Sequence, residues 1–445
     1  MGVNNENYNL KTITWPIFLQ TFLTLLMGNV NVFMLSHFSD KAVGAVGVSN
    51  QIIAMLAVLY NVVAMGTAIL ITQYLGAENR SMAKKVSQVS LLMNLLFGLI
   101  CSLIFIVFGQ QLLNLIKLPP DMMEYGLIYV RIVGGTSFVQ ATIVTASAIL
   151  RSYGFTKLPM KVAILMNIIN ITGNYIALYK PFGIPVYGVT GVAISVVVSN
   201  IVGFIVIAYV MNNAINFKFN LKIISEFSTK IVMMVIKVGA PSAGEYISYS
   251  FSQIAITAVI TTFGADVINT GIFVKNIVSF VYILSLSVGQ GTQIIIGYMK
   301  GAGKNDLIYQ RGLESLKIAM ISNLIMSIII YLFSRNILSI FTENSSIIEM
   351  GRMILLIDII LEFGRAINHV VMSCLRGTGD VGYPVIISII SMWIVGVLLS
   401  HVLGINFCLG LVGVWIASGL DEWVRGVTLF FRWKSKKWKK ISVME

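Results

Sequence analysis

Charge is what this sequence has least of. Of its 445 residues only 11% are charged, while 57% are hydrophobic; soluble domains carry about 25% charged residues. An ordinary water-soluble domain is thereby excluded. Histidine and cysteine are scarce as well, three of each and widely spread, with no H-E-x-x-H and no paired C-x-x-C. A catalytic metal site is therefore not expected. Cys101, Cys374 and Cys408 lie within or beside apolar runs, and their odd number argues for buried thiols rather than a disulfide framework. The chain lacks a G-x-x-x-x-G-K-[ST] loop and a G-x-S-x-G elbow, which sets aside ATP-driven and hydrolase chemistry. An integral-membrane transferase would need paired acids or histidines at the membrane surface, and no such cluster stands outside the apolar runs. No enzymatic activity and no cofactor is expected.

What the sequence has in abundance is long apolar runs. Twelve are about 20 residues or longer, enough to cross a hydrocarbon core: 14–38, 48–72, 88–109, 122–149, 161–180, 189–211, 232–262, 270–296, 314–334, 348–374, 383–404 and 410–432. Backbone polar groups cannot be left open to lipid, so each run should be a helix. The alternating ten-residue strands of a β-barrel are not seen. A short polar head, Met1 to Lys11, precedes the first run, which has no small-residue cleavage site after it and should remain as a span. The expected fold is all-α and integral to the membrane, with twelve spans.

The net charge of +13 suggests nucleic acid only until its placement is considered. Basic residues follow the even-numbered spans: Arg80, Lys84 and Lys85; Arg151, Lys157 and Lys161; Lys218, Lys222 and Lys230; Lys300, Lys304 and Arg311; Arg376; and the tail Arg432, Lys434, Lys436, Lys437, Lys439 and Lys440. The opposite loops hold little more than Lys41, Lys117, Lys180 and Arg335. By the positive-inside rule both termini are cytoplasmic. The basic tail fits an anionic-lipid anchor, so the partners expected are membrane lipids and small molecules, not nucleic acid.

The chain is written twice. Gly66, Thr67, Ile69, Ile71, Gly76 and Ala77 recur 225 positions later as Gly291, Thr292, Ile294, Ile296, Gly301 and Ala302. The same offset carries Pro16 onto Pro241, Leu150 onto Leu375, Arg151 onto Arg376, Gly154 onto Gly379 and Pro159 onto Pro384. Six spans per copy give both copies one orientation, as in parallel-repeat transporters. The expected domains are an N-terminal six-helix lobe over 1–211, a polar cytoplasmic linker over 212–230, a C-terminal six-helix lobe over 231–432 and the basic tail over 433–445. The prolines suit helix starts or kinks. The paired glycines at the ends of the second and eighth spans suit tight exits into the basic loops.

An ionisable group at the bilayer centre costs at least ~2.5–3.5 kcal/mol and calls for an explanation. Glu245 lies four residues after Pro241 with no Lys or Arg within a helical turn. Unpaired membrane acids mark ion paths, and hydroxyls of Ser242 or Ser248 are the alternative partners. Asp358, Glu362, Arg365 and His369 follow a 4-3-4 spacing that places them on one stripe of the tenth span. That stripe is either a cation or proton relay or a structural ion-pair ladder. Asp421 and Arg425 are an i,i+4 pair suited to an internal salt bridge, with Glu422 on another side. The first half is polar through amides instead, including Asn29, Asn31, Asn50, Gln51, Asn61, Asn94, Gln140, Asn167, Asn170 and Asn174.

In this setting a set of ordered motifs resembles the multidrug and toxic compound extrusion (MATE) transporters. They are Trp15-Pro16, Gly28-Asn29-Val30-Asn31, Met34-Leu35-Ser36, Ala45-Val46-Gly47, Gln73-Tyr74-Leu75-Gly76-Ala77, Leu150-Arg151-Ser152-Tyr153-Gly154, Pro241-Ser242-Ala243-Gly244-Glu245 and Leu375-Arg376-Gly377-Thr378-Gly379-Asp380. The resemblance covers both halves. It implies two six-helix lobes around a central cavity and export of organic cations against Na⁺ or H⁺. It also brings departures. Aspartates of relatives in the first and fifth spans align with Asn31 and Asn174, a span-10 aspartate aligns with Arg365, and a span-7 glutamate aligns with Tyr249. The first-lobe coupling site of those relatives is therefore not carried over intact.

The reading that follows is a monomeric bacterial inner-membrane antiporter exporting amphipathic, often cationic compounds by alternating access. Coupling to Na⁺ or H⁺ is expected at Glu245, Asp358 and Glu362. The cavity is expected to be lined by Asn31, Asn174, Tyr249, Arg365, Asn368 and His369. A lipid-linked oligosaccharide flippase of the same broad fold and an uncoupled facilitator remain the alternatives.

Overall fold

The computed structural model describes residues 9–179, 186–217 and 228–444. The polar head up to residue 8, Lys180, and the central part of the expected linker with Lys218, Asn220 and Lys222 lie outside the described residues. Among those described there is no strand. The first half runs through α1 (Leu10–Ser36), α2 (Asp40–Gly76), α3 (Arg80–Leu115), α4 (Met123–Val133), α5 (Ser137–Ser152), α6 (Lys157–Leu178) and α7 (Gly188–Ile215). The second runs through α8 (Thr229–Thr261), α9 (Ala265–Gly301), α10 (Asn305–Leu332), the short α11 (Ser334–Ser339), α12 (Ser345–Thr378), α13 (Gly382–Ser391), α14 (Leu399–His401) and α15 (Gly410–Lys434).

These elements account for the twelve spans. The fourth is α4 and α5 joined through a 3₁₀ turn at Gly134–Thr136, where Gly134 faces the Phe105 ring of α3 too closely for a Cβ. The eleventh runs from α13 through a wide π-turn at Met392–Leu398 into α14 and ends in a second at Val402–Asn406. Nine of the spans are long and apolar enough to cross a membrane by length and composition. The remaining three, α8, α12 and α15, are those that carry Glu245, the span-10 stripe, and the Asp421–Arg425 segment. Charge lowers their hydropathy, and the same charge makes them the functional candidates.

The chain forms two compact units. Unit 1 holds residues 19–75 and 79–240. Its apolar core joins Leu35, Ala42, Val46, Tyr129, Val189 and Val192, with a second cluster around Phe105, Leu113 and Val130. Unit 2 holds residues 9–18, 76–78 and 241–444 of the described chain. There α12 is the central helix, packed against α9, α10 and α15, over a core of Val274, Ile277, Val281, Leu338, Ile354 and Leu411. The division falls inside two helices rather than in a loop: α1 changes unit after Phe18 and α8 after Ala240, each within two residues of a proline.

The repeated glycines explain how these early helix segments are held. Gly76 and Gly301 close α2 and α9, as expected of exit glycines, whereas Gly66 and Gly291 are mid-helix, ten residues earlier. Within unit 1, a Cβ on Gly66 would strike the Val235 carbonyl of α8, and one on Gly239 the Val62 carbonyl of α2. Within unit 2, a Cβ on Gly291 would lie 2.6 Å from Thr14 Oγ1 of α1. Small residues of this kind let helix backbones touch in lipid, where dispersion and not water drives packing. Gly66→Ala is expected to destabilise the purified protein by about 1–3 kcal/mol through overpacking, read as a lower midpoint of thermal unfolding in detergent. Gly28→Ala, with nothing within 4 Å of its Cβ, should leave the midpoint unchanged or raise it.

Candidate functional site

The charged residues of unit 2 come together because α12 and α15 approach closely. Gly364 lies against the Trp423 backbone and ring, and Gly426 against the backbone of Asn368 and Gly364. That contact places the 358–369 stripe of α12 beside residues 421–425 of α15. Arg365 pairs with Glu362 one turn earlier, and its Nε lies 3.5 Å from Glu422. Arg425 pairs with Asp421 and reaches Glu422 at 3.3 Å. The expected placement of Glu422 away from the Asp421–Arg425 pair is thus corrected. The guanidinium fork is long enough to reach carboxylates at both i−3 and i−4, so Glu422 bridges the two arginines.

Neutral donors complete the network. Asn323 of α10 donates to Glu362 at 3.0 Å and to Ser285 of α9 at 2.6 Å. Asn368 donates to Glu422 at 2.8 Å, Ser391 to Asp421 at 2.7 Å, and the Trp415 indole to Asp358 at 2.9 Å. The Tyr282 ring lies against both Arg365 and His369, at 5.8 and 5.2 Å between centres. The 4-3-4 stripe is therefore both a ladder and more than one, since Asp358 has an indole and not a guanidinium as its partner. Four carboxyls share two guanidiniums, and Glu362 is fully enclosed. The amide oxygens of Asn323 and Asn368 are buried beside those carboxyls without a hydrogen-bond donor.

Glu245 is elsewhere. Its carboxylate forms an ion pair with Arg376 from the last turn of α12, which corrects the expectation of an unpaired acid. The sequence hid this partner because it lies 131 positions away and read as a cytoplasmic loop charge. Tyr249, one turn beyond Glu245, is 41% exposed and within electrostatic reach of Arg365 and Glu422. In unit 1, Asn174 donates to Asn31 at 2.7 Å and to Asn170 at 3.3 Å. The two residues singled out by resemblance do meet, as a neutral amide cluster. Asn174 and Asn368 are both fully buried, so they serve their neighbours' hydrogen bonds and do not themselves present an open lining.

The partners of two basic residues were not visible in the sequence. Arg151 of α5 donates to Gln20 of α1 at 3.2 Å, so it too is no free loop charge. Lys275 stands ten residues into α9 and donates to Gln253 of α8 at 3.1 Å. A lone lysine inside an apolar run was a visible signal for the latter.

This arrangement, buried charge on charged spans of a duplicated helical bundle, is that of a membrane transporter. The sequence model of the MatE family matches residues 16–176 and again 241–402, beginning at Pro16 and Pro241, the two prolines of the repeat. The chain belongs to the MatE family of transporters and is a multi-pass membrane protein. It is 38% identical to the "uncharacterized transporter YisQ" of Bacillus subtilis, over 98% of this chain and 95% of that protein. It is 26% identical to the "probable multidrug resistance protein NorM" of Thermotoga maritima, over 98% and 94%. Among solved structures, a MOP superfamily transporter from Pyrococcus furiosus, described as having a binding pocket of reversed polarity, superposes with a TM-score of 0.88 at 20% identity, covering 97% of this chain and 96% of that one. A multidrug resistance MATE transporter in an outward-facing conformation gives the same score and identity over 96% of each chain. These likenesses share the fold.

Removing a guanidinium from the α12–α15 network leaves buried carboxylates unpaired. Arg425→Met is expected to cost about 3–5 kcal/mol, while Arg352→Met, which opens an exposed pair with Glu349 at 3.2 Å, should cost no more than ~1 kcal/mol. Thermal unfolding of the two purified variants in detergent measures the difference.

Proposed function

We propose that this transporter exports amphipathic organic compounds across the bacterial cytoplasmic membrane by alternating access, in exchange for Na⁺ or H⁺. Both termini would be cytoplasmic, in keeping with the basic loops and tail, and the chain would act as a monomer among membrane lipids with no cofactor. The observation that carries coupling is the unit 2 network. Asp358, Glu362, Asp421 and Glu422 leave two negative charges over after Arg365 and Arg425 are counted. Uncompensated charge in an apolar bundle draws in a proton or cation. Asp358 and Glu362 are the proposed carriers, because Asp358 has no arginine and Glu362 adjoins an amide oxygen awaiting a donor or cation. Glu245, expected beside them, is assigned instead to its pair with Arg376. Exchange requires that ion and compound favour different conformations, so that each lowers the other's affinity by the same factor.

The alternative of a lipid-linked oligosaccharide flippase is favoured by one observation, the lysine at 275 whose partner is the neutral Gln253. A cation held by an amide within a span suits an anionic headgroup.

Both readings meet one assay: vesicles reconstituted with the full chain, loaded with a cationic dye, under an imposed Na⁺ or proton gradient. The wild type should move dye under one gradient, and Glu362→Gln, which preserves shape and the bond to Asn323, should slow that movement at least about ten-fold. Undiminished coupled movement in Glu362→Gln would remove the network from the mechanism, and movement independent of both gradients would favour the flippase or an uncoupled facilitator.

A further inference from the structure

The offset of 225 that carries Arg151 onto Arg376 also carries Gln20 onto Glu245. These are the residues that meet in each unit: Arg151 donates to the Gln20 side-chain oxygen at 3.2 Å, and Arg376 to a Glu245 carboxylate oxygen. Both arginines project from the same kind of helix end. Gly154 and Gly379 follow α5 and α12 with φ of 87° and 93°, a conformation that costs glycine nothing and other residues strain. Their amides return to the Arg151 and Arg376 carbonyls at 3.0 and 2.9 Å, and the next amides return to Leu150 and Leu375, both at 2.9 Å. The Leu-Arg-x-x-Gly repeat is therefore a cap that sets the arginine on the last helical turn, aimed at α1 in one unit and α8 in the other.

Each gripped residue lies four positions past a proline, Pro16 or Pro241. Ahead of that proline the helix belongs to the other unit. There residues Val235 and Gly239 of α8 sit on α2 at Gly66 and Val62, and Thr14 of α1 sits on α9 at Gly291. Each of the two helices is thus fixed on both sides of a proline, where the hydrogen-bond ladder is already broken.

We propose that Arg151 and Arg376 are positioning residues of the transport cycle. Each ties the post-proline segment of α1 or α8 to its own unit, so that bending is confined to the few residues at the proline. Loss of the tie spreads the bend along the helix and slows the exchange of conformations without altering the compound's site. The proposal rests on the alternating-access reading above. The clamp needs an acceptor oxygen at the gripped position, not a negative charge, because the first repeat performs the same task with glutamine.

The test compares Arg376→Ala, Glu245→Ala and Glu245→Gln in the full chain. In vesicles, both alanine variants should lower dye turnover at least about ten-fold with KM changed by less than about two-fold. Glu245→Gln should stay within about two-fold of the wild type. Independently of transport, amide hydrogen exchange over residues 242–247 should accelerate in Arg376→Ala and Glu245→Ala and stay slow in Glu245→Gln, while residues 232–238 remain protected in all. Glutamine failing as badly as alanine would overturn the proposal by showing that the carboxylate charge itself is required. Unchanged exchange in Arg376→Ala would overturn it as well. If the wild type moves no dye under either gradient, the efflux reading falls and the exchange pattern alone decides the clamp.

Discussion

A guanidinium buried in a helical bundle must find an oxygen that the bundle itself supplies, and this requirement shapes both units. Arg365 and Arg425 hold α12 to α15 through Glu362, Glu422 and Asp421. The helices can come that close only because Gly364 and Gly426 have no side chain at the contact. Glycine contact and ion network are thus one feature: the first brings the backbones together and the second makes any other spacing costly. Truncating either arginine would strand carboxylates where water does not reach them.

Unit 1 gives Arg151 the neutral oxygen of Gln20 and joins its other helices through amides. Asn174, Asn31 and Asn170 bond one another, Asn94 reaches Thr145 and the Tyr60 carbonyl, and Asn167 reaches the Leu23 carbonyl. Amide bonds between membrane helices contribute ~0.6 kcal/mol on average, so they align helices without storing much energy. The first unit joins its helices through neutral amides, and the second through carboxyls in excess of its guanidiniums. Symmetry in the backbone coexists with a difference in side-chain chemistry.

Much of this was legible in the sequence because membranes leave few choices. Span number, helix type and duplication followed from apolar runs and a fixed offset. The stripe of Asp358, Glu362, Arg365 and His369 followed from helical period. What stayed hidden was every partner on another helix. Glu245 looked alone because Arg376 lies in the last turn of another span, where the positive-inside pattern already gave an arginine a sufficient role. Glu422 looked misplaced because angular position on a helix wheel ignores the reach of a five-bond side chain. The contacts of Gly66 and Gly291 stayed hidden too, since sequence shows a glycine within an apolar run and not which backbone touches it. In one case the missing information was present: the offset pairs Gln20 with Glu245 as plainly as it pairs the arginines.

The exchange of helix beginnings between the two repeats bears on how such a chain arose. The groove at Gly66 is filled by residues of the second repeat, and the groove at Gly291 by residues of the first. A chain with a single copy would expose one empty groove and one loose helix start. Two such chains would satisfy each other reciprocally, the self-complementary logic of a swapped pair. A single polypeptide carrying both copies supplies each groove and the helix start that fills it, and leaves the two gripped positions free to differ, as Gln20 and Glu245 do.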